Sequence, residues 1–533
     1  MTKFIWPLLL CPFFLSAQYQ FQRLNHLDQI RQNADLYNTD VDFHTSIAPF
    51  NRTEIHQTLG YDNTPDLKFG YQQWFWRKLF DESLVKLQGD NYELRIDPVI
   101  NLRYGYDLTD KSIPYTSTRG VTLEGKLGKN FSFTSTFLEN QARFPVYVAD
   151  FAKTYNVVPG QGFARDFGGD ALDFSMASGE ISYSPNDIFS FSLGQGRNFF
   201  GEGYRSLILS DVGFNYPYFK IQTSFWKIKY TNLWAQLYDV RDEVTDNGIF
   251  SKKYLSSHYL SLNINSRWNV SLFESIVLGD TNQQRGIDPA FFNPVILYRP
   301  VEFAVGSGSG NALLGMGTSY KLTNGLMVYG QALLDEFTFA EFFGNRGYWG
   351  NKFSYQAGIK YYHAFGVKGL FARLEYNSAR PYTYSHQVPL INYGHYGQPL
   401  GHPWGANFGE TLTRWYYYKG RWEFEAALHY GQIGLDTAGS NWGSDIYKSY
   451  DSREQDYDNA TGQGVKANLV YVLLRAAWLV NPESGLKLET GVQLRSLSAK
   501  GVTDISTQSL PLGDSKFIFF GLRTELFNRY FDF

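Results

Sequence analysis

The sequence has little cysteine, no long apolar run and no excess of positive charge, and each shortage removes a class of protein. Its single cysteine is Cys11, near the start of the 533 residues. No run of 18 or more apolar residues occurs, so no membrane-spanning helix is predicted. The formal net charge of −3 gives no indication of the basic surface that nucleic acid binding requires. Neither the H-E-x-x-H zinc motif nor the phosphate-binding motif of nucleotide hydrolases is present.

Aromatic residues and glycine are abundant instead. Phe, Tyr and Trp make up 18% of the chain and there are 50 glycines, whereas charged residues are 19%, below the roughly 25% of soluble domains. The mean hydropathy is nevertheless −0.32. The apolar content is too high for a disordered chain. A chain that is polar on average yet rich in Tyr, Phe and Gly is typical of a transmembrane β-barrel.

Residues 1–17 have the pattern of a secretory signal peptide. Lys3 precedes the uncharged stretch FIWPLLLCPFFLSA (Phe4–Ala17), which ends in small residues before Gln18. Cleavage after Ala17 would remove Cys11 and leave a chain without cysteine. We therefore expect no disulfide, no thiol catalysis and no cysteine-ligated metal in the mature protein.

The region from residue 18 to residue 90 shows helical spacing. Apolar residues recur every three or four positions in HLDQIRQNADLY (His26–Tyr37) and in YQQWFWRKLFDESLVKLQ (Tyr71–Gln88). Polar turns separate the two stretches. The pattern predicts an N-terminal helical segment on the periplasmic side of the barrel.

From residue 91 to residue 533 the period changes to two. In RWEFEAALHY, Trp422, Phe424 and Leu428 alternate with Glu423 and Glu425. A soluble β-sandwich can alternate in this way, but full charges on the polar face favour a water-filled lumen. At about 25 residues per strand and connection, the region predicts roughly 16–18 antiparallel strands. We predict an all-β transmembrane barrel of about 18 strands in a Gram-negative outer membrane.

The last stretch, KFIFFGLRTELFNRYFDF (Lys516–Phe533), is aromatic and ends on Phe533. It is similar to the sorting signal of outer-membrane barrels, and we expect it to be the final strand. That strand must pair with the first to close the barrel.

Several dense stretches resemble the capsule-assembly Wzi family of outer-membrane proteins, and most closely its Bacteroidota branch with RemB-type gliding-motility proteins. The stretches are Val157–Asp170, Gly194–Asp211, Tyr216–Ile221, Phe291–Phe303, Ala332–Phe337, Tyr376–His386 and Leu400–Glu410. The resemblance implies an 18-stranded barrel with a periplasmic helical element and a lumen plugged by loops. It also implies a non-enzymatic surface lectin that tethers capsular polysaccharide, without a cofactor.

The segment Arg380–Glu410 is the predicted ligand-binding loop. It combines aromatic and polar side chains suited to sugar on a long segment broken by glycine and proline, and such loops are usually functional. Its candidate ligand-binding residues are Arg380, Tyr382, Tyr384, His386, His402, Trp404, Asn407 and Glu410. Aromatic rings would stack on sugar rings and polar groups would bind hydroxyls. The alternative is a constriction loop folded into the lumen.

A second set of residues predicts an ion network inside the lumen. Its members are Arg197, Glu202, Arg205, Asp211, Arg299, Glu302, Asp335 and Glu336. Charges in a low-dielectric wall must be paired, so a structural network is favoured over a sugar-binding cluster. No metal is predicted, because the spacing of His386, His395 and His402 matches no zinc pattern. The acidic loop Asp436–Asp458 departs from the EF-hand pattern and is predicted to be a solvated extracellular loop.

Three functions remain open from the sequence. The first is an outer-membrane protein that binds and retains extracellular polysaccharide, with surface or motility proteins as further partners and with outer-membrane lipid around it. The second is an open pore for oligosaccharides. The third is an outer-membrane hydrolase, because catalytic residues scattered over several strands need no local motif.

Overall fold

The computed structural model describes residues 21–61, 66–245, 248–280, 289–295, 297, 298, 300, 310–499 and 510–533. The predicted signal peptide and two members of the predicted ion network, Arg299 and Glu302, lie outside the described residues.

Eighteen antiparallel strands form a closed barrel. In chain order they are β1 Tyr92–Asp107, β2 Tyr115–Leu127, β3 Phe131–Arg143, β4 Ala171–Tyr183, β5 Phe189–Gly196, β6 Tyr216–Phe225, β7 Ile228–Asp239, β8 Ser251–Asn263, β9 Trp268–Gly279, β10 Gly310–Thr323, β11 Leu326–Glu336, β12 Lys352–Tyr362, β13 Leu370–Ala379, β14 Phe408–Lys419, β15 Trp422–Leu435, β16 Val465–Asn481, β17 Leu486–Ala499 and β18 Gly513–Thr524. Strand β18 pairs with β1, with Phe517 opposite Asp107 and Arg523 opposite Asn101. The predicted barrel, and closure of its last strand on its first, are confirmed.

The two faces of each strand differ as the period of two predicts. On β15 the side chains of Trp422, Phe424 and Leu428 are exposed on the outside, whereas Glu423 and Glu425 are buried inside. The same division holds on β18, where Phe520 is exposed and Phe519 is buried. An apolar outer face around a polar interior is the pattern of a barrel surrounded by lipid.

The connections at the two ends of the barrel differ in length. At one end the strands are joined by turns such as residues 128–130 and 226–227, and we call this the short-turn end. At the other end the connections include residues 144–170, 380–407 and 436–464, and we call this the long-loop end. In outer-membrane barrels short turns face the periplasm and long loops face the outside.

The start of the described chain fills the lumen at the short-turn end. It contains helix α1 (His26–Gln32), the 3₁₀ turn Ala34–Tyr37 and helix α2 (Arg52–Leu59). The ammonium of Lys321 on β10 donates to the carbonyl oxygens of Leu36, Asn38 and Val41. A strand pair, Ile47–Ala48 with Phe199–Phe200, joins this segment to the loop after β5. Helices α1 and α2 therefore lie largely within the barrel, at its short-turn end.

The second predicted helix is shorter than its spacing suggested. Helix α3 covers only Trp74–Phe80, and the strand Val85–Gly89 follows and pairs with the first residues of β1. The prediction of a helix through Gln88 is therefore wrong, because Val85 and Leu87 take their partners from the sheet, opposite Ile96 and Leu94. Within the described ranges, no helix has the length and apolar character needed to cross a membrane.

The final strand also ends earlier than expected. Strand β18 stops at Thr524, and the segment Glu525–Phe533 turns back into the lumen. There Phe533 is buried against Tyr147 and Phe151 of helix α4 (Val146–Tyr155). The expectation that Phe533 ends the last strand is wrong, because its ring is used in the interior core.

Candidate functional site

The predicted ligand-binding loop lies in the lumen, and its aromatic rings are used for packing. Tyr384 is fully buried; its hydroxyl donates to the Leu207 carbonyl at 2.8 Å and its backbone N–H donates to Asp335 at 2.8 Å. Tyr382 is 1% exposed and donates to the Asn441 carbonyl at 2.9 Å. Both residues have positive φ angles, so the loop is held in a tightly specified conformation.

The polar residues of that loop form hydrogen bonds with other parts of the protein. The amide of Asn407 donates to the carbonyls of Gly434 and Gln463 at 3.0 and 2.9 Å. The indole of Trp404 packs against His402 and Phe408. The arrangement is that of the alternative interpretation, a loop folded into the lumen. The rings of Tyr382, Tyr384 and Trp404 are buried, whereas a stacking platform must expose its face; their role in sugar binding stays a prediction.

A buried ion network joins this loop to the barrel wall and to the end of the described chain. The guanidinium of Arg205, with no exposed surface, pairs with Glu410 on β14 and with Asp532, both at 3.0 Å. His402 shares a hydrogen bond of 2.7 Å with Glu410. His429 on β15 lies beside the same carboxylates. The residues from Arg205, the loop and the C-terminal segment are thus one electrostatic unit, and removal of one partner would leave a buried charge.

The remaining described members of the predicted network also lie inside. Lys352 pairs with Asp335 and Glu336 at 3.3 and 3.1 Å. Lys360 pairs with Glu202. Asp211 accepts hydrogen bonds from the Tyr530 hydroxyl and the Asn528 amide, and Arg197 donates to the Asp211 carbonyl. The Lys352 pairs join neighbouring wall strands, whereas Lys360 joins the wall, and Tyr530 and Asn528 join the C-terminal segment, to the interior loop after β5.

An aromatic surface that the sequence did not predict lies at the long-loop end. Its rings are Tyr348 and Trp349, from the β11–β12 loop, and Tyr450 and Tyr457, from the β15–β16 loop. Trp349 and Tyr450 have centroids 4.8 Å apart, and Tyr348 and Tyr457 are 5.6 Å apart. Tyr457 is 39% exposed and the other three rings are half-buried. We call these four residues the aromatic patch.

Two arginines belong to the surface of the aromatic patch. The guanidinium of Arg453 lies 4.3 Å from the centroid of the Trp349 ring, and that of Arg346 lies 4.6 Å from the Tyr457 ring. Arg453 also donates to Asp456 at 2.6 Å. Arg346 pairs with Glu341 at 2.7 Å. Guanidinium groups over aromatic faces hold the rings in fixed orientation.

Backbone hydrogen bonds hold the two loops of the patch together. The N–H of Trp349 donates to the Asp456 carbonyl at 2.9 Å, and the N–H of Asp458 donates to the Arg346 carbonyl at 2.8 Å. The N–H of Asn459 donates to the Gly347 carbonyl at 2.9 Å. The patch is therefore a preformed surface, and binding on it would not have to order a loose loop.

Some of the residues predicted for binding lie directly beneath this patch. Arg380 donates to the carbonyls of Tyr348 and Asn459, at 3.4 and 3.3 Å. The imidazole of His386 has its centroid 5.8 Å from that of Tyr450. Burial lowers the pKa of His386 to about 4. These residues support the surface from below, and the sequence signal that could have located the surface itself is the Gly-flanked aromatic run NRGYWG (Asn345–Gly350).

The three histidines of the predicted loop are not brought together. His395 accepts from the Tyr238 backbone N–H at 2.9 Å, His402 binds Glu410 and His386 faces Tyr450. In the part of the chain that the structure describes, no group of three or more His, Cys, Asp or Glu side chains is placed to hold a metal ion.

Comparison with solved structures supports the fold. The chain is similar to Escherichia coli Wzi, an outer-membrane protein involved in group 1 capsule assembly and a carbohydrate-binding β-barrel. The TM-score is 0.57 at 14% identity, over 96% of this chain and all of that one. Pseudomonas aeruginosa OprD gives a TM-score of 0.41 at 10% identity, over 83% of this chain and 98% of that one. Pseudomonas aeruginosa OpdK gives 0.43 at 8% identity, over 81% and 98%.

The sequence comparisons, unlike the structural comparison, found no match. No family model matches the chain, and no curated protein matches it. The likeness to Wzi is one of fold. Together with the lipid-facing belt and the unequal loops, it identifies the protein as an 18-strand barrel of the Gram-negative outer membrane.

Proposed function

We propose that the protein binds extracellular polysaccharide on the aromatic patch and retains it at the cell surface. The observation that carries the proposal is the preformed set of half-exposed rings at the long-loop end, with Arg346 and Arg453 over two of them. In the part of the chain that the structure describes, loops and terminal segments fill the lumen, and this favours binding of a polysaccharide over its passage. The Wzi-like fold, whose E. coli member is a carbohydrate-binding barrel, points in the same direction.

The chemistry of the patch suits a sugar polymer. Flat aromatic faces pack against the apolar C–H faces of sugar rings, and rings fixed in advance lose little entropy on binding. Tyr450 and Tyr457 add hydroxyl groups, and Asp451 and Gln387, joined by a hydrogen bond of 2.8 Å, border the patch with further polar groups. Arg346 and Arg453 pair with Glu341 and Asp456, and their remaining N–H groups add donors for sugar hydroxyls.

The test is a double substitution within the patch. Trp349→Ala with Tyr457→Ala removes one ring from each pair, and each lost platform is expected to cost roughly 1–2 kcal/mol, a five- to thirtyfold loss of affinity. Binding is measured on an array of defined neutral and acidic oligosaccharides with the purified full chain. Short oligosaccharides are needed because a repeating polymer masks the loss through avidity.

Phe343→Ala is the matched control. Phe343 lies on helix α5 (Phe339–Phe343) of the same β11–β12 loop and is 78% exposed, but it makes no ring contact with the patch. Heat-modifiable migration reports barrel assembly for all variants. The proposal fails if the double variant assembles and binds the same sugars with unchanged affinity, or if the wild type binds none of them.

The finer assignment to a RemB-type, motility-linked branch remains part of this proposal. It is supported by the sequence stretches that resemble that branch, such as Val157–Asp170 and Gly194–Asp211. Loss of surface polysaccharide without loss of gliding in cells that carry the double variant would separate the two roles.

A further inference from the structure

A cavity lined by arginine lies deep in the lumen, away from the aromatic patch. It measures about 120 Å³ and is bounded by barrel strands, by helix α1 and by the C-terminal segment Glu525–Phe533. Six guanidinium groups and three carboxylates line it. The guanidinium groups belong to Arg103, Arg373, Arg414, Arg475, Arg523 and Arg529, and the carboxylates to Glu425, Glu525 and Asp532.

Four of the six arginines have carboxylate partners. Arg103 pairs with Glu489, which lies outside the lining, and Arg475 pairs with Glu489 at 2.8 Å and with Glu525 at 3.1 Å. Arg414 pairs with Glu425, and Arg523 pairs with Glu525. These carboxylates are shared further, because Lys487 also binds Glu525 and Arg205 also binds Asp532. The acidic groups around the cavity are therefore already occupied.

The other two arginines have no carboxylate within ion-pair distance in the part of the chain that the structure describes. Arg373, on β13, is 7% exposed; its only hydrogen bond among the described residues goes to the Glu202 carbonyl at 3.3 Å, and its Nε has none. Arg529, on the C-terminal segment, forms neither a hydrogen bond nor an ion pair with any residue that the structure describes, and its guanidinium lies 5.1 Å from the Phe527 ring. Burial and the charges of Arg523 and Arg103 lower the pKa of Arg529 to about 9.

A buried guanidinium without an anion is costly, and the cavity has room for one. A cavity needs roughly 10–15 Å³ to hold a water molecule, so about 120 Å³ accommodates an ion of several heavy atoms. Guanidinium groups bind planar and tetrahedral oxyanions with paired N–H donors. We propose that this cavity binds a small oxyanion, of the phosphate, sulfate or carboxylate class, between Arg373 of the wall and Arg529 of the interior segment.

The bound anion would act as a clamp. Arg373 belongs to the barrel wall and Arg529 to the C-terminal segment. Asn25 and His26, at the start of helix α1, also line the cavity. His26 already shares a hydrogen bond of 2.8 Å with Tyr530, so the two interior segments meet at this point. A ligand that bridges wall and segments stabilises the folded state according to its concentration and affinity.

The test is anion binding by the full chain in detergent. Inorganic phosphate, sulfate and acetate are titrated separately at constant ionic strength with sodium chloride, and binding is followed by calorimetry and by the thermal unfolding midpoint. We expect saturable binding and a saturable rise of the midpoint. Phosphate and sulfate also stabilise proteins by exclusion from the surface, but that effect does not saturate. The three titrations distinguish a tetrahedral ion from a carboxylate.

Arg529→Gln is the main variant, because Arg529 lies outside the barrel wall and is not needed to close it. At least a tenfold loss of affinity is expected, with partial recovery in Arg529→Lys. Arg373→Gln tests the contribution of the wall arginine, and Arg267→Gln, at an exposed arginine of the turn between β8 and β9, is the control. A crystal soaked in selenate should give an anomalous peak in the cavity. Three results would overturn the proposal: no saturable binding in the wild type, unchanged binding in both Arg529→Gln and Arg373→Gln, or a selenate peak elsewhere.

Discussion

Burial raises the pKa of Asp436 and Asp445 in the loop of residues 436–464, and we expect this loop to be sensitive to pH. Asp445 is 8% exposed; it accepts from the Tyr447 N–H at 2.9 Å, and its Oδ2 has no hydrogen-bond partner in the described part of the chain. Burial raises its pKa to about 6, above the value of an unfolded chain. The folded loop therefore holds more protons between pH 4 and pH 6, so its stability is greatest at acid pH and falls as the pH rises through 6. The shift of about two units corresponds to roughly 3 kcal/mol at most.

We expect Asp445→Asn to remove most of this dependence. Hydrogen exchange of residues 436–464, corrected for the intrinsic effect of pH, should show greater protection at pH 5 than at pH 8 in the wild type and similar protection at both in the variant. Asp458→Asn, at an exposed position of the same loop, is the control. Equal pH dependence in the wild type and in Asp445→Asn would refute the explanation.

The same scale shows why the burial of the predicted binding residues could not be predicted from sequence. Tyr382 and Trp404 have the aromatic, glycine-rich surroundings of a sugar site, but a ring that packs in a lumen and a ring that packs on a sugar need the same apolar face. Trp349 and Tyr450 lie about 100 residues apart and meet only because neighbouring loops share one end of the barrel. The charged members of the lumen network were easier to find, since buried charges must be paired.

At the scale of one element, helix α3 is expected to lie in the membrane interface. Phe69 and Phe80 pack on Trp478, which is on the outer face of β16, and Trp74, Phe75 and Trp76 are exposed. The helix is thus continuous with the lipid-facing wall at the short-turn end, where aromatic residues anchor proteins at the headgroup level.

Spin labels can test this position. Phe75→Cys with an attached nitroxide should be accessible to dissolved oxygen in lipid vesicles and protected from a water-soluble relaxant. The label at Gln57→Cys, an exposed position of helix α2, should be accessible to the water-soluble relaxant and less accessible to oxygen. If both labels are equally accessible to the water-soluble reagent, α3 does not lie in the interface.

Sequence periodicity predicted the strands better than it predicted their ends. Alternation of lipid and lumen faces is imposed on every residue of a wall strand, so β15 and β18 could be recognised directly. The strand Val85–Gly89 and the segment Glu525–Phe533 are decided by what they meet in space, namely the start of β1 and the core around Tyr147. Such contacts produce no periodic pattern in the sequence.

For the whole molecule, the loops and segments that fill the lumen predict a barrel that does not conduct ions. In planar bilayers the wild type should give no large stable conductance. Arg205→Ala should give intermittent openings, because it leaves Glu410 and Asp532 as buried, partly uncompensated carboxylates, a loss of about 3–5 kcal/mol in similar networks. Arg346→Ala, at the exposed surface, should behave as the wild type. Large stable channels in the wild type would favour the oligosaccharide pore instead.

The hydrogen bond between His26 and Tyr530 joins positions 504 residues apart in sequence. Contacts of such sequence separation form late, because most of the chain must be in place before they contribute to stability. Both partners lie inside a wall that closes only when β18 finds β1, so each interior segment must enter the lumen before or as that seam closes. Filling and closure are therefore coupled in time, and a barrel that closes empty would have no ready route by which to take up its contents afterwards.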